Sequence, residues 1–399
     1  MKRREFVIGA GALAGASLLV DGLPALAAAE SPAVLPANQP AAAQERLAPG
    51  RIDVHHHLLP AFYAEALRGQ GLDRVAGLAL PQWTAEQSLA LLDAQGMQAA
   101  ILSLPAPGVW FGEARAAAEL ARRCNEYAAE LVQRYPGRFG NFAALPLPAT
   151  EAACAEAIHA LDSLKADGVL LLASNAGVFL GDPRFEELMA ELDRREANVL
   201  LHPNLHPSSQ TLALDTPGFV LELACDTSRA AVNLILSGTL ERYPRIRWIL
   251  ANAGGFLPYA AWRVSLANAL PEFQEQVPQG VMTYLQRFYF DTALAPGAPS
   301  MAVLRELVEP RQVLFGSDFP FAPAGLVEQQ IAELGTASPW PARQLAGIAR
   351  DHALSLFPRF AAAGERVVAA PRNESESTLH RLGRTATQPL AALVQRLKD

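Results

Sequence analysis

Cysteine is scarce: three in 399 residues. Cys124, Cys154 and Cys225 lie far apart, in stretches that read as helices, with no CxxC or Cys-His spacing. They exclude a disulfide framework and a thiolate metal site, and read as buried free thiols. Basic residues are also short, with 33 Lys and Arg against 40 Asp and Glu and a net charge of −7. That balance argues against a nucleic-acid partner, which needs a basic face. Beyond the N-terminus no apolar run is long enough to cross a bilayer. No glycine-rich turn follows the first strand-like stretch, which counts against an open dinucleotide-binding sheet. Apolar residues are plentiful, at 51%, enough for a large core.

Lys2-Arg3-Arg4-Glu5-Phe6 precedes an apolar, Ala- and Gly-rich run from Val7 to about Val20, and Pro24-Ala25-Leu26-Ala27 then offers small residues for cleavage. This is the pattern of a twin-arginine export signal over residues 1–29. It predicts a periplasmic or extracellular protein with no membrane anchor in its mature form. Residues 30–50, rich in Ala, Pro, Gln and Glu, read as a linker. A barrel domain is expected over 51–362. The tail 363–399 is polar and ends in a short amphipathic stretch, Leu390 to Leu397.

From Arg51 onward strand-like runs alternate with helical ones. Strands are expected at Arg51–His57, Met97–Leu104, Arg138–Ala144, Gly168–Ala173, Asn198–His202, Arg247–Asn252, Arg287–Thr292 and Val313–Asp318. Local punctuation marks the helices between them. Thr84 with Gln87 forms a capping box, Gly96 is a stop, and Asp182-Pro183 is a start. Eight mostly apolar strands separated by helices predict a (β/α)8 barrel of the TIM type.

In such a barrel the chemistry sits at the C-terminal ends of the strands. The first strand ends in His55-His56-His57. Alternation points His55 and His57 to one side and His56 to the other. The fifth strand ends in His202 and the eighth in Asp318. Three imidazoles and a carboxylate converging there suit zinc or a similar divalent ion, with a position open for water or substrate.

The motifs Asp53-Val54-His55-His56-His57-Leu58-Leu59-Pro60, Leu201-His202-Pro203-Asn204, Ala253-Gly254-Gly255-Phe256-Leu257-Pro258, Phe315-Gly316-Ser317-Asp318-Phe319-Pro320 and Leu356-Phe357-Pro358-Arg359 together resemble the amidohydrolase-related metalloenzymes. More narrowly, they resemble the subgroup of aminocarboxymuconate-semialdehyde, γ-resorcylate and 6-methylsalicylate decarboxylases. The resemblance runs from about Arg51 to Phe360. It implies one divalent metal, Zn2+ or alternatively Mn2+, held by His55, His57, His202 and Asp318. Two-metal hydrolytic relatives carry a bridging lysine at the end of the fourth strand; Val169-Leu170-Leu171-Leu172-Ala173 has none. Relatives of this kind are often homodimers or homotetramers.

One position departs from the pattern. The family usually has a histidine before the glycine pair of the sixth strand, and this chain has Asn252. An amide cannot take a proton near neutral pH. His206 and His352 are the candidate stand-ins for a base at this position. Decarboxylation of an aromatic or unsaturated carboxylic acid tolerates the change, because Asn252 then needs only to hold substrate while Asp318 shuttles the proton. Hydrolysis of an amide, ester or lactone tolerates it less, since water must be activated. A metal- or ligand-binding barrel with impaired catalysis is the third reading. Trp110 and Phe111, in the loop after the second strand, are candidates to stack on a planar substrate. Arg229 is a candidate for its carboxylate, or else a partner of Asp226. Asp291, ending the seventh strand, is placed to orient a ligand histidine.

Overall fold

The computed structural model describes residues 50–212, 215–336 and 338–375. The export signal, most of the linker and the amphipathic stretch 390–397 lie outside them. Eight parallel strands follow in order: β1 (Arg51–His57), β2 (Met97–Ser103), β3 (Phe139–Ala144), β4 (Gly168–Leu172), β5 (Asn198–His202), β6 (Arg247–Leu250), β7 (Tyr289–Asp291) and β8 (Val313–Leu314). Each neighbours the next in sequence. The ring closes through Val54 N–H to the Phe315 carbonyl (2.9 Å) and His57 N–H to that of Phe319 (2.7 Å). Closure leaves no exposed sheet edge.

Helices cover the outside: α1 (Ala85–Ala94), α2 (Ala114–Arg134), α3 (Thr150–Ile158), α4 (Glu186–Arg194), α5 (Glu222–Leu236), α6 (Leu257–Ser265), α7 (Ala298–Leu307) and α8 (Ala324–Thr336). The Thr84–Gln87 capping box forms in both directions and starts α1. In the extra helix after Asp182, the carboxylate accepts from Arg184 N–H, with Pro183 at the first position.

Alternation along the strands splits the core in two. Leu102, Phe139, Val169, Leu171, Val199, Leu201, Trp248 and Leu250 face the helices. Ile52, Val54, Ala99, Ile101, Phe142, Leu170, Leu200, Ile249 and Leu314 fill the barrel. These layers are what near-continuous apolar strands buy.

The last three strands are shorter than expected. β6 stops at Leu250, and Asn252 and Ala253 lie in the left-handed region at φ 55° and 54°. β8 stops at Leu314, and Asp318 is also left-handed, at φ 64°. At both ends the chain turns sharply where an extended run was expected to continue.

Candidate metal centre

β1 carries a local irregularity that aims the histidines. Asp53 stands opposite Ala100 and His56 opposite Leu102, so three steps of β1 run against two of β2. This is a β-bulge, which re-aims side chains and leaves a backbone group unpaired. The Asp53 carboxylate accepts from the freed His55 N–H at 3.1 Å. It also accepts from the Nδ1 of His56 at 2.9 Å and from Ser317 N–H at 3.0 Å. Through the bulge, Ile52, Val54, His55 and His57 all serve the barrel interior. His56 points outward, buried, with its Nε2 on Ser88 Oγ of α1. His56 thus points to the other side from His55 and His57, as alternation predicts, and stands outside the ligand cluster.

His55, His57, His202 and Asp318 come together. One ligand atom from each lies within 4.8 Å of all the others, and all four residues are buried. Each imidazole is oriented from behind through Nδ1. His55 meets Asp291 Oδ2 at 2.8 Å, His57 the Ser103 carbonyl at 3.2 Å, and His202 the Pro203 carbonyl at 2.8 Å. A carboxylate or carbonyl only accepts, so each Nδ1 carries a hydrogen and each Nε2 is left to bind at the centre. His55 Nε2 and His57 Nε2 are 3.2 Å apart, and Asp318 Oδ1 is 3.3 and 3.1 Å from them. The edge of a tetrahedron around an ion with ligand bonds of about 2.0–2.1 Å is ~3.3 Å. The donor set and its spacing therefore fit one divalent ion.

Charge bears this out. Burial pushes His202 well below its ordinary range, with His57 and His55 adding to the effect, and burial also lowers His57. Burial alone would lower His55 too, but Asp291 and Asp318 beside it outweigh that and carry it up to about 10. Burial would raise Asp318, yet hydrogen bonds to His55 and His57 hold it well below the usual carboxylate range. The centre is an ionised acid among imidazoles, shaped for a cation.

A mostly apolar cavity of about 300 Å³ opens at the same end of the barrel, lined among others by Leu104, Trp110, Leu170, Leu172, Asn175 and Asn204. None of the four ligands lines it. It abuts them through Leu172, the strand partner of His202, and through Asn204, two residues further on. Trp110 is among the residues lining this cavity. Its loop is pinned by Tyr63, whose hydroxyl donates to the Gly108 carbonyl at 2.8 Å. Gly108 sits at φ 76°, and a Cβ there would come within 2.9 Å of Leu172. Only glycine lets the loop lie so close.

Three expectations need correction. Phe111 does not line the cavity; it packs, half-buried, against the helix-side core. Arg229 is exposed on α5, in an open groove with Asp182, Arg184 and Phe273. Helical phase turns Asp226 and Ala230 inward and Arg229 outward. Neither histidine proposed as a stand-in base joins the centre. His206 stacks on Phe179 with ring centroids 4.8 Å apart and has its ring nitrogens on Ser208 and the Gly177 carbonyl. His352 bonds the Val313 carbonyl at 2.9 Å.

Asn252 serves the centre indirectly. Its backbone N–H donates to Asp291 Oδ1 at 2.9 Å, as does that of Ala293 at 3.0 Å, and its side-chain amide donates to the Ala293 carbonyl at 3.1 Å. It thus helps to hold the carboxylate that orients His55. Ala173, just past the end of β4, is buried with its N–H on the His202 carbonyl, and this strand end brings no lysine. The three cysteines are free; Cys124 and Cys154 are buried and Cys225 half-buried.

An eight-stranded parallel barrel with three imidazoles and a carboxylate converging at its C-terminal mouth defines a mononuclear metal-binding (β/α)8 protein. The chain belongs to the amidohydrolase family, whose model matches residues 52–359. It is 39% identical over 324 residues to a decarboxylase of Aspergillus niger, covering 78% of this chain and 88% of that protein. It is 37% identical over 329 residues to the 6-methylsalicylic acid decarboxylase of Aspergillus aculeatus, covering 77% and 96%. The crystal structure of a 2,6-dihydroxybenzoate decarboxylase with 2,6-dihydroxybenzoate superposes with a TM-score of 0.65 at 25% identity, covering 78% of this chain and all of that one.

Proposed function

We propose that this protein is a metal-dependent carboxy-lyase acting on a small aromatic carboxylic acid of the hydroxybenzoate type. The observation that carries the reading is the four-ligand centre beside a mostly apolar cavity walled by Trp110, Leu170 and Leu172. The named activities of the relatives support it.

His55, His57, His202 and Asp318 would hold a divalent ion, which would supply positive charge against the anionic substrate. Zinc suits three nitrogens and one oxygen in a compact buried set, and manganese is the alternative. Trp110 offers a face to the ring. Asp318, ionised, accepts a proton from the substrate's acidic hydroxyl and returns it to the ring carbon. The bond to the carboxyl group breaks, its electron pair stays on that carbon, and CO2 leaves. The apolar wall excludes water from the exchange. Nothing in this sequence needs a general base at position 252, where hydrolysis would.

Purified, metal-loaded protein should release CO2 and the matching phenol from 6-methylsalicylate or a dihydroxybenzoate, and His55→Ala should not. Turnover of lactones or amides with no reaction on any hydroxybenzoate would favour the hydrolase. Inertness towards both, in protein that holds its metal, would favour the binding barrel.

The N-terminal Lys2-Arg3-Arg4-Glu5-Phe6 pattern supports export by the twin-arginine route, which a fusion of residues 1–29 to a folded reporter tests. A homo-oligomer is supported by α6, where Tyr259 and Trp262 stand 87% and 77% exposed, as helix faces awaiting a partner do.

A further inference from the structure

Two of the three ligand imidazoles lean on neutral backbone carbonyls, but one of those carbonyls belongs to a peptide with a charged neighbour. His202 Nδ1–H donates to the Pro203 carbonyl. The N–H on the other side of the same peptide, that of Asn204, donates to Asp226 Oδ2 at 2.9 Å. A peptide unit is planar and rigid, so fixing its N–H fixes its C=O. Hydrogen bonds in a chain also polarise one another in a low-dielectric interior.

Asp226 sits on α5 with its side chain fully buried, and no ion pair reaches it among the described residues. Its Oδ2 also accepts from Ser174 Oγ at 3.1 Å, and the Asn204 side chain donates to the Ser174 carbonyl at 3.0 Å. One carboxylate therefore joins α5 to the ends of β4 and β5. Its second oxygen, Oδ1, is buried with no hydrogen-bond partner among the described residues. A buried carboxylate with half its capacity unused is costly to stability. Ser174 and Asn204 both line the cavity as well.

We infer that Asp226 is a positioning residue for the metal centre, acting on His202 through the Pro203–Asn204 peptide. His55 has its carboxylate, Asp291, in direct contact; His202 has one at the far side of a single peptide plane. The inference rests on the metal centre of the proposed function but not on the substrate.

Zn2+ affinity, measured by chelator competition on the purified full-length protein, tests it. Loss of such an outer partner commonly weakens metal binding about 10- to 100-fold. Asp226→Ala is expected to lose affinity in that range while melting within a few degrees of the parent. Asp226→Asn keeps an acceptor for both donors and is expected to lose about threefold or less. Ser174→Ala, which leaves the peptide contact in place, should change affinity less than Asp226→Ala does. Unchanged Zn2+ affinity in folded Asp226→Ala overturns the inference. If that variant does not fold, a Zn2+ loss in Asp226→Asn as large as that in Asp291→Asn overturns it instead, since the conserved acceptor would then be irrelevant. Because the readout is metal affinity, absent decarboxylation leaves it standing.

Discussion

His55 and Asp291 meet at 2.8 Å with neither side chain exposed to solvent. The carboxylate's other oxygen accepts two backbone N–H groups, from Asn252 and Ala293. Asp291 is therefore fixed before it fixes His55. Asp291→Asn is expected to lower metal affinity or decarboxylation about 10- to 100-fold, with affinity measured by chelator competition. Parent-like values for both would show that His55 orients itself.

Metal binding should track pH in a defined direction. In the metal-free centre His55 titrates at about 10, raised by Asp291 and Asp318 against the effect of burial. At neutral pH it carries a proton that a cation must displace, since metal ligands bind deprotonated. Affinity for Zn2+ should rise roughly tenfold per pH unit between pH 7 and 9. Calorimetry in buffers of different ionisation enthalpy should register about one proton released per ion. No proton release at pH 7 would contradict the protonated state of His55.

Asp226 predicts a pH effect on stability. Burial pushes its carboxyl from 3.8 up to about 6. The folded state thus holds a proton that the unfolded state releases between those values, so stability falls as pH rises from about 4 to 6. Below that window the penalty is absent; above it the penalty is complete, of order 3 kcal/mol. Asp226→Asn removes the ionisation, and its midpoint in denaturant titrations should fall less than the parent's between pH 4 and 7. Identical profiles would mean that the carboxyl titrates normally.

The cavity wall and its supports should separate by kinetics. Trp110→Ala is expected to raise KM for a hydroxybenzoate about 5- to 150-fold, since aromatic stacking contributes about 1–3 kcal/mol per ring. Arg229→Ala, exposed on α5, should leave both constants unchanged. Tyr63→Phe leaves the Gly108 carbonyl unpaired, which costs about 1–3 kcal/mol, and should lower Tm. An Arg229→Ala defect as large as that of Trp110→Ala would return the arginine to the site.

Much of the centre was legible because its signals are local. Alternation within the triplet separates His55 and His57 from His56, and the end of β5 places His202, while Asp318 lies in a turn past the end of β8. Other features have no local signature. The bulge in β1 depends on how Asp53 and Ala100 pair across the sheet. Asp226 acts on Ser174, 52 residues away, so its role is invisible until α5 is docked. Phe111 and Arg229 failed because a neighbour in sequence need not share its neighbour's direction. Asn252 read as a gap in the chemistry; in the fold it is a brace, and its left-handed backbone explains why β6 ends early.

The ligands also impose an order of events. Asp318 N–H bonds the His55 carbonyl at 2.8 Å, and Ser317 N–H bonds Asp53. The first and last strands therefore finish each other. A growing chain that has emerged only as far as His202 offers three imidazoles but neither the carboxylate nor the closing strand. The complete grip exists only after β8 and the turn that carries Asp318 have been synthesised.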